Sequence, residues 1–139
     1  MFDYLEKRKV YFVYVPLIVY WLLLLIGTSL PTDDLPSVAI SDKFKHFGAF
    51  FGLSILLALT LHYQNKFLLL KKYFLAAALI ITSFYGLLDE IHQSFIPGRY
   101  NEFLDWVADS LGAIAGILLV FYVMKKFNYL PRTEIKISE

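Results

Sequence analysis

Residues Tyr85–Gly116, YGLLDEIHQSFIPGRYNEFLDWVADSLGAIAG, join two long apolar runs through a short polar turn. Asp89 and Glu90 stand near the end of the first run, and Asp105 and Asp109 near the start of the second. Each charged side chain at the centre of a membrane helix costs about 2.5–3.5 kcal/mol on insertion scales, and less near the interface. Four carboxylates in such a setting therefore mark a polar site, and the rest of the chain is organised around it.

The two flanking runs are short. Only the 16 residues Tyr73–Leu88 and the 15 residues Ser110–Met124 are free of charge, whereas about 20 residues span a bilayer. The spans reach full length only if Asp89, Glu90, Asp105 and Asp109 are drawn into the outer part of the membrane. Between them Pro97-Gly98 predicts a type II turn, and Asn101 is placed to cap the helix that follows.

Outward from this centre the chain is apolar almost throughout. Its 139 residues are 58% hydrophobic, with a mean hydropathy of +0.59. A soluble domain of this size buries too small a share of its surface to hide that much apolar area, so the chain is expected to be a multi-pass membrane protein in contact with the lipid bilayer. No cysteine is present, which excludes disulfides and thiolate metal sites. The net charge of +1 and the lack of a basic block with interleaved aromatics give no reason to expect nucleic acid as a partner.

The expected fold is all-α, a four-transmembrane-helix bundle occupying residues 1–126, with spans at about 10–30, 45–63, 73–93 and 103–124 and a poorly ordered cytoplasmic tail at 127–139. Val10–Thr32 carries no charge, is too long for a signal-peptide core, and has no small-residue cleavage site after it. Pro16 predicts a mild kink near its start. Ser41 is placed to cap the second span, after a loop holding Asp33, Asp34 and Pro36. Phe67–Leu70, bracketed by Lys66, Lys71 and Lys72, reads as interfacial.

Alternate loops divide the basic residues unevenly. Lys7, Arg8 and Lys9, then Lys66, Lys71 and Lys72, then Lys125, Lys126, Arg132 and Lys136 fall on one side; only Lys43, Lys45 and Arg99 fall on the other. The positive-inside rule then places both termini in the cytoplasm and every embedded acid toward the outer face.

Helical spacing gathers these acids. Asp42 and His46 are four apart, as are Asp89 and Gln93, and Asp105, Asp109, Gly112 and Gly116 step by four, three and four along one face. Gly112 and Gly116 form a small-xxx-small pair that lets a helix approach closely. The acids above them therefore point into the bundle or a water-filled cleft, not at lipid. At this depth six acids, Asp42, Asp89, Glu90, Glu102, Asp105 and Asp109, face three bases, Lys43, Lys45 and Arg99. Internal pairing cannot satisfy them all. Protons, water, a metal ion or a cationic group is needed to complete the set, and the residues alone name neither a cofactor nor a metal. Lys43 and Arg99 either pair with these acids or meet an anionic head group. His92, Tyr100 and Trp106 read as interfacial.

SDKFKHFGAFFGL, DEIHQSFIPGR and DWVADSLGAIAGILL, in that order on three helices, resemble the VanZ-like family of small bacterial integral membrane proteins. The likeness runs from about Asp42 to Leu119. The family pattern falls on Asp42, Lys43, His46, Asp89, Glu90, Gln93, Pro97, Arg99, Asp105, Gly112 and Gly116, and Asp109 stands where the family usually carries Asn. The resemblance implies residence in the bacterial cytoplasmic membrane. Its founding member is associated with resistance to the glycopeptide teicoplanin, which acts on cell-wall precursors outside the membrane.

Three functions stay open on the residues. The first is binding of a lipid-linked envelope precursor or phospholipid in an outer-leaflet pocket formed by Asp42, Lys43, His46, Asp89, Glu90, Gln93, Arg99, Asp105 and Asp109. The second is an intramembrane hydrolase or transferase using His46 with Asp89 or Glu90. The third is a structural partner of another membrane protein, docking through Gly112 and Gly116.

Overall fold

The computed structural model describes residues 2–31 and 41–130. The loop with Asp33, Asp34 and Pro36, and the tail from 131 with Arg132 and Lys136, lie outside the described residues. Helix α1 (Phe2–Lys7) leads through a π-helical turn at Val10–Tyr14 into α2 (Val15–Ser29); α3 (Asp42–Tyr63), the short α4 (Leu68–Lys72), α5 (Phe74–Gln93) and α6 (Phe103–Lys126) follow. Four stretches are long and apolar enough to cross a membrane: Val10–Ser29, Asp42–Tyr63, Phe74–Gln93 and Phe103–Lys126. At 1.5 Å per residue each is about 30 Å or longer.

The kink expected at Pro16 takes the form of the π-turn. Proline has no N–H and its ring crowds the carbonyl four residues back. The widened turn, in which the Val15 N–H donates to Val10 O, accommodates both, so the apolar run continues unbroken. The short segment ahead of the first span forms α1. Phe127–Leu130 turn back on the bundle, where the Tyr129 hydroxyl donates to Glu6 Oε2 at 3.2 Å. α4 exposes Leu68 and Leu69, as a helix lying in the interface does.

Exposure is inverted relative to a water-soluble protein. Leu23 is 63% exposed, Ile80 67% and Leu118 60%, while Asp89, Glu90, Asp105 and Asp109 are all 4% exposed or less. Lipid is the solvent that favours this arrangement, because acyl chains solvate leucine and cannot solvate a carboxylate.

α3 sits at the centre and packs most extensively on α6, then on α5. Gly112 and Gly116 explain the closeness to α6. A Cβ at Gly112 would strike Phe47 O, and one at Gly116 would strike Ser54 Oγ and lie 2.6 Å from Phe51 O. The glycine face is thus filled by α3 of the same chain, which leaves it unavailable for docking a second protein.

α2 joins the bundle through a specific polar contact. The Tyr20 hydroxyl donates to Ala49 O at 2.9 Å and lies over Gly52, where a Cβ would fall 2.5 Å from it. Tyr20→Phe is expected to lower stability by about 1 kcal/mol, the net worth of one such bond, measured as the unfolding midpoint in detergent.

Candidate functional site

The polar site occupies the end of the bundle where α3 and α6 begin and α5 ends. The turn at Ile96–Arg99 orders it. Gly98 takes a positive φ of 76°, and the Arg99 N–H donates to Ile96 O at 3.1 Å, as a type II turn requires with proline and glycine at its centre. The N-cap of α6 is Glu102 rather than the expected Asn101. The reason is a tertiary bond: the Glu102 N–H donates to Glu90 Oε2 at 3.0 Å, which holds residue 102 extended and starts the helix at Phe103. Ser41 does occupy the N-cap of α3, without a side-chain cap bond. α3 therefore begins at Asp42, as a cap at Ser41 requires, ahead of the apolar span expected from about 45, and carries Asp42, Lys43 and His46 as helical residues.

His46 is the hub. Its Nδ1 is 2.9 Å from Asp109 Oδ1 and 3.7 Å from Glu90 Oε1; its Nε2 is 3.9 Å from Asp42 Oδ2. One side chain from α3 thus meets carboxylates from its own helix, α5 and α6. Glu90 is 1% and Asp109 0% exposed, and Glu90 Oε1 and Asp109 Oδ2 have no hydrogen-bond partner. Gly86 makes the approach possible, since a Cβ there would lie 2.9 Å from Asp109 Oδ2 and 3.1 Å from the Phe50 ring.

The remaining residues form two further groups. Lys43 Nζ bridges Glu102 at 2.8 Å and Asp105 at 2.9 Å, and Lys45 meets Asp42 at 3.3 Å. Asp89 accepts from Gln93 Nε2 at 2.9 Å, and Gln93 Oε1 accepts from Arg99 at 2.8 Å. Arg99 pairs with neither Glu102 nor Asp105. It donates instead to Leu30 O at 3.0 Å and Gly27 O at 2.8 Å, which closes the turn onto the end of α2. Among the described residues no carboxylate neutralises it.

Beside His46 opens a cleft of about 250 Å3. Leu23, Leu24, Ala49 and Phe50 form its apolar wall, and Asp42, Lys45, His46, Asp89 and Arg99 its polar one. It lies among α2, α3 and α5. Glu90, Asp105 and Asp109 stand behind His46, on the α6 side.

Sequence reasoning missed the part of α2. Its work at Arg99 is done by the backbone carbonyls of Gly27 and Leu30, and carbonyls leave no mark in a sequence. His92, expected merely at the interface, reaches Ser29 Oγ at 3.0 Å. Trp106 is drawn into the α5–α6 seam, donating to Ser83 O at 3.1 Å. Tyr100 remains 82% exposed.

The family model for VanZ/LLP1 matches residues 10–125. The chain belongs to the VanZ/LLP1 family. The matched span contains the four candidate membrane helices, save the last residue of the fourth, and every residue of the site. Neither the curated proteins nor the solved structures gave a match. As a VanZ/LLP1 protein with four candidate transmembrane helices, the chain places its polar convergence within the stretch that defines the family.

Proposed function

We propose that this VanZ/LLP1 protein binds an anionic lipid or lipid-linked cell-envelope molecule from the outer leaflet of the bacterial cytoplasmic membrane. Both termini then lie in the cytoplasm. The lysines and arginines support this orientation, since only Lys43, Lys45 and Arg99 lie at the end that carries the site. The observation that carries the reading is Arg99. Its guanidinium lines a cleft whose other wall is apolar, and it is held in place by carbonyls and an amide oxygen. Those partners orient the cation and leave its charge for a phosphate, which suits guanidinium geometry. The acyl or prenyl portion lies along Leu23, Leu24, Ala49 and Phe50. A protein that holds a lipid-linked wall precursor in this way changes what a glycopeptide antibiotic meets outside the membrane, which links the reading to teicoplanin susceptibility.

The test is capture of fluorescent phosphatidylglycerol and phosphatidylcholine by the purified chain in detergent. The anionic lipid is expected to bind more tightly, less so at high salt, and about tenfold more weakly in Arg99→Ala, one charged hydrogen bond's worth. Lys43→Ala is expected to matter little, because Glu102 and Asp105 already neutralise Lys43. Equal binding of both lipids, or unchanged binding in Arg99→Ala, overturns the reading.

An alternative is a hydrolase or transferase with His46 as general base. The specific support is that Nδ1 faces a buried carboxylate while the ring lines the cleft, the orientation a base needs. The partner in that case is Asp109 or Glu90; Asp89 is engaged by Gln93. Release of a water-soluble head group from bound lipid by the parent chain, lost in His46→Gln, would favour this alternative over simple binding.

A further inference from the structure

We infer that His46, Glu90 and Asp109 form a binding site for one divalent cation of the Zn2+ or Mn2+ type. The inference stands apart from lipid capture in the neighbouring cleft.

The three side chains each offer one ligand atom, and these atoms lie within 4.8 Å of one another. All three residues are buried. Two ligands about 2.1 Å from one metal ion are themselves separated by about 3.0–3.4 Å in octahedral or tetrahedral geometry. His46 Nδ1 is 2.9 Å from Asp109 Oδ1 and 3.7 Å from Glu90 Oε1. One separation has to open and the other to close, each by less than about an ångström on that geometry, which side-chain rotation supplies.

An acidic cluster alone would not point to a cation. The second observation is that carboxylate oxygens are left over. Glu90 Oε1 has no partner and faces the imidazole, although Glu90 is 1% exposed; Asp109 Oδ2 is likewise unpartnered at 0% exposure. A buried oxygen with no donor is costly, and none of the lysines or arginines at this end is paired with either residue. A cation of charge +2 between two carboxylates and a neutral imidazole gives a net charge of zero, the value a low-dielectric interior favours. The surroundings also match those of ligating residues. Glu90 is oriented by the Glu102 N–H on its other oxygen. Asp42 stands 3.9 Å from His46 Nε2, the side on which a metal-bound histidine takes a carboxylate. One imidazole and two carboxylates suit Zn2+ and Mn2+ better than the all-oxygen preference of Ca2+ or Mg2+.

The experiment uses the full chain, purified without a histidine tag, stripped with EDTA and titrated with Zn2+ or Mn2+ alone against a chromophoric chelator, with no lipid added. One cation per chain is expected, together with a raised unfolding midpoint. Glu90→Gln keeps the shape and can still accept from the Glu102 N–H, and it is expected to weaken binding at least tenfold. Asp109→Asn is expected to do the same, whereas His92→Gln, at the same end of the bundle, leaves binding unchanged. Helicity and a monodisperse elution profile confirm folding; should Asp109→Asn fail them, Glu90→Gln carries the test. The inference is overturned by absence of saturable uptake, by uptake that survives the Glu90 substitution, or by equal loss in His92→Gln.

Discussion

Gly112→Ala is expected to abolish the native packing of α3 on α6, while Gly48→Ala is tolerated. The added carbon is the same in both. At Gly48 it meets nothing within 4 Å, and alanine favours a helix over glycine by up to about 1 kcal/mol. At Gly112 it meets the Phe47 carbonyl group, with Phe47 C at 3.0 Å and Cα at 3.1 Å. Those are backbone atoms inside a helix, and no rotamer change removes them. Overpacking of a core costs about 1–3 kcal/mol, and the upper figure applies because the obstacle is main chain. Small residues at such contacts are what lets membrane helices approach, since lipid leaves little hydrophobic drive between them. Separation of α3 from α6 would also pull His46 from Asp109 and Lys43 from Asp105, so the loss extends beyond the seam itself. Thermal unfolding in detergent checks it: a Gly112→Ala chain that melts together with Gly48→Ala would show that the two helices need not touch here.

That seam was legible in the sequence, because Asp105, Asp109, Gly112 and Gly116 follow helical spacing and stepwise spacing needs no tertiary knowledge. The four spans were legible for a similar reason, as charge-free length is a local property. The pairing within the site was not. His46 had Asp42, Asp89, Glu90, Asp105 and Asp109 as candidate partners at one depth. The choice of Asp109 and Glu90 follows from the rotation of α6 against α3, set where Gly112 meets the Phe47 carbonyl and where Gly86 admits Asp109. The location of the cleft was hidden too. It was expected among the second to fourth spans, yet α2 supplies Leu23, Leu24 and Gly27 to its wall. Arg99 shows why: the Pro97-Gly98 turn was predictable, but the carbonyls it would aim the guanidinium at belong to a helix some 70 residues earlier. α6 starts at Phe103, where the span was expected, but its N-cap is Glu102 and not Asn101, because the Glu102 backbone bond to Glu90 outweighs the local capping preference of Asn101.

His46→Ala is expected to be among the most damaging single substitutions in the polar site, and the damage is expected to be partly reversed by a second substitution. Removing the imidazole leaves Glu90 and Asp109 beside each other, buried, with no basic side chain paired to either. Breaking a buried ion pair on one side costs about 3–5 kcal/mol, chiefly through the charge left behind. Asp109→Asn alone is far milder, since the amide oxygen can still accept from His46 Nδ1; the cost is near that of one weakened hydrogen bond, about 1 kcal/mol. In His46→Ala with Asp109→Asn, one of the two stranded charges is gone. The double variant should therefore be more stable than the sum of the single effects implies, by a coupling within the 0.5–3 kcal/mol range roughly typical of contacting residues. The cycle is run in EDTA, so that a bound cation does not contribute, and read as denaturant midpoints in detergent at constant slope. Strict additivity would mean that the imidazole and the carboxylate do not feel each other, and the hub role given to His46 would fall with that result.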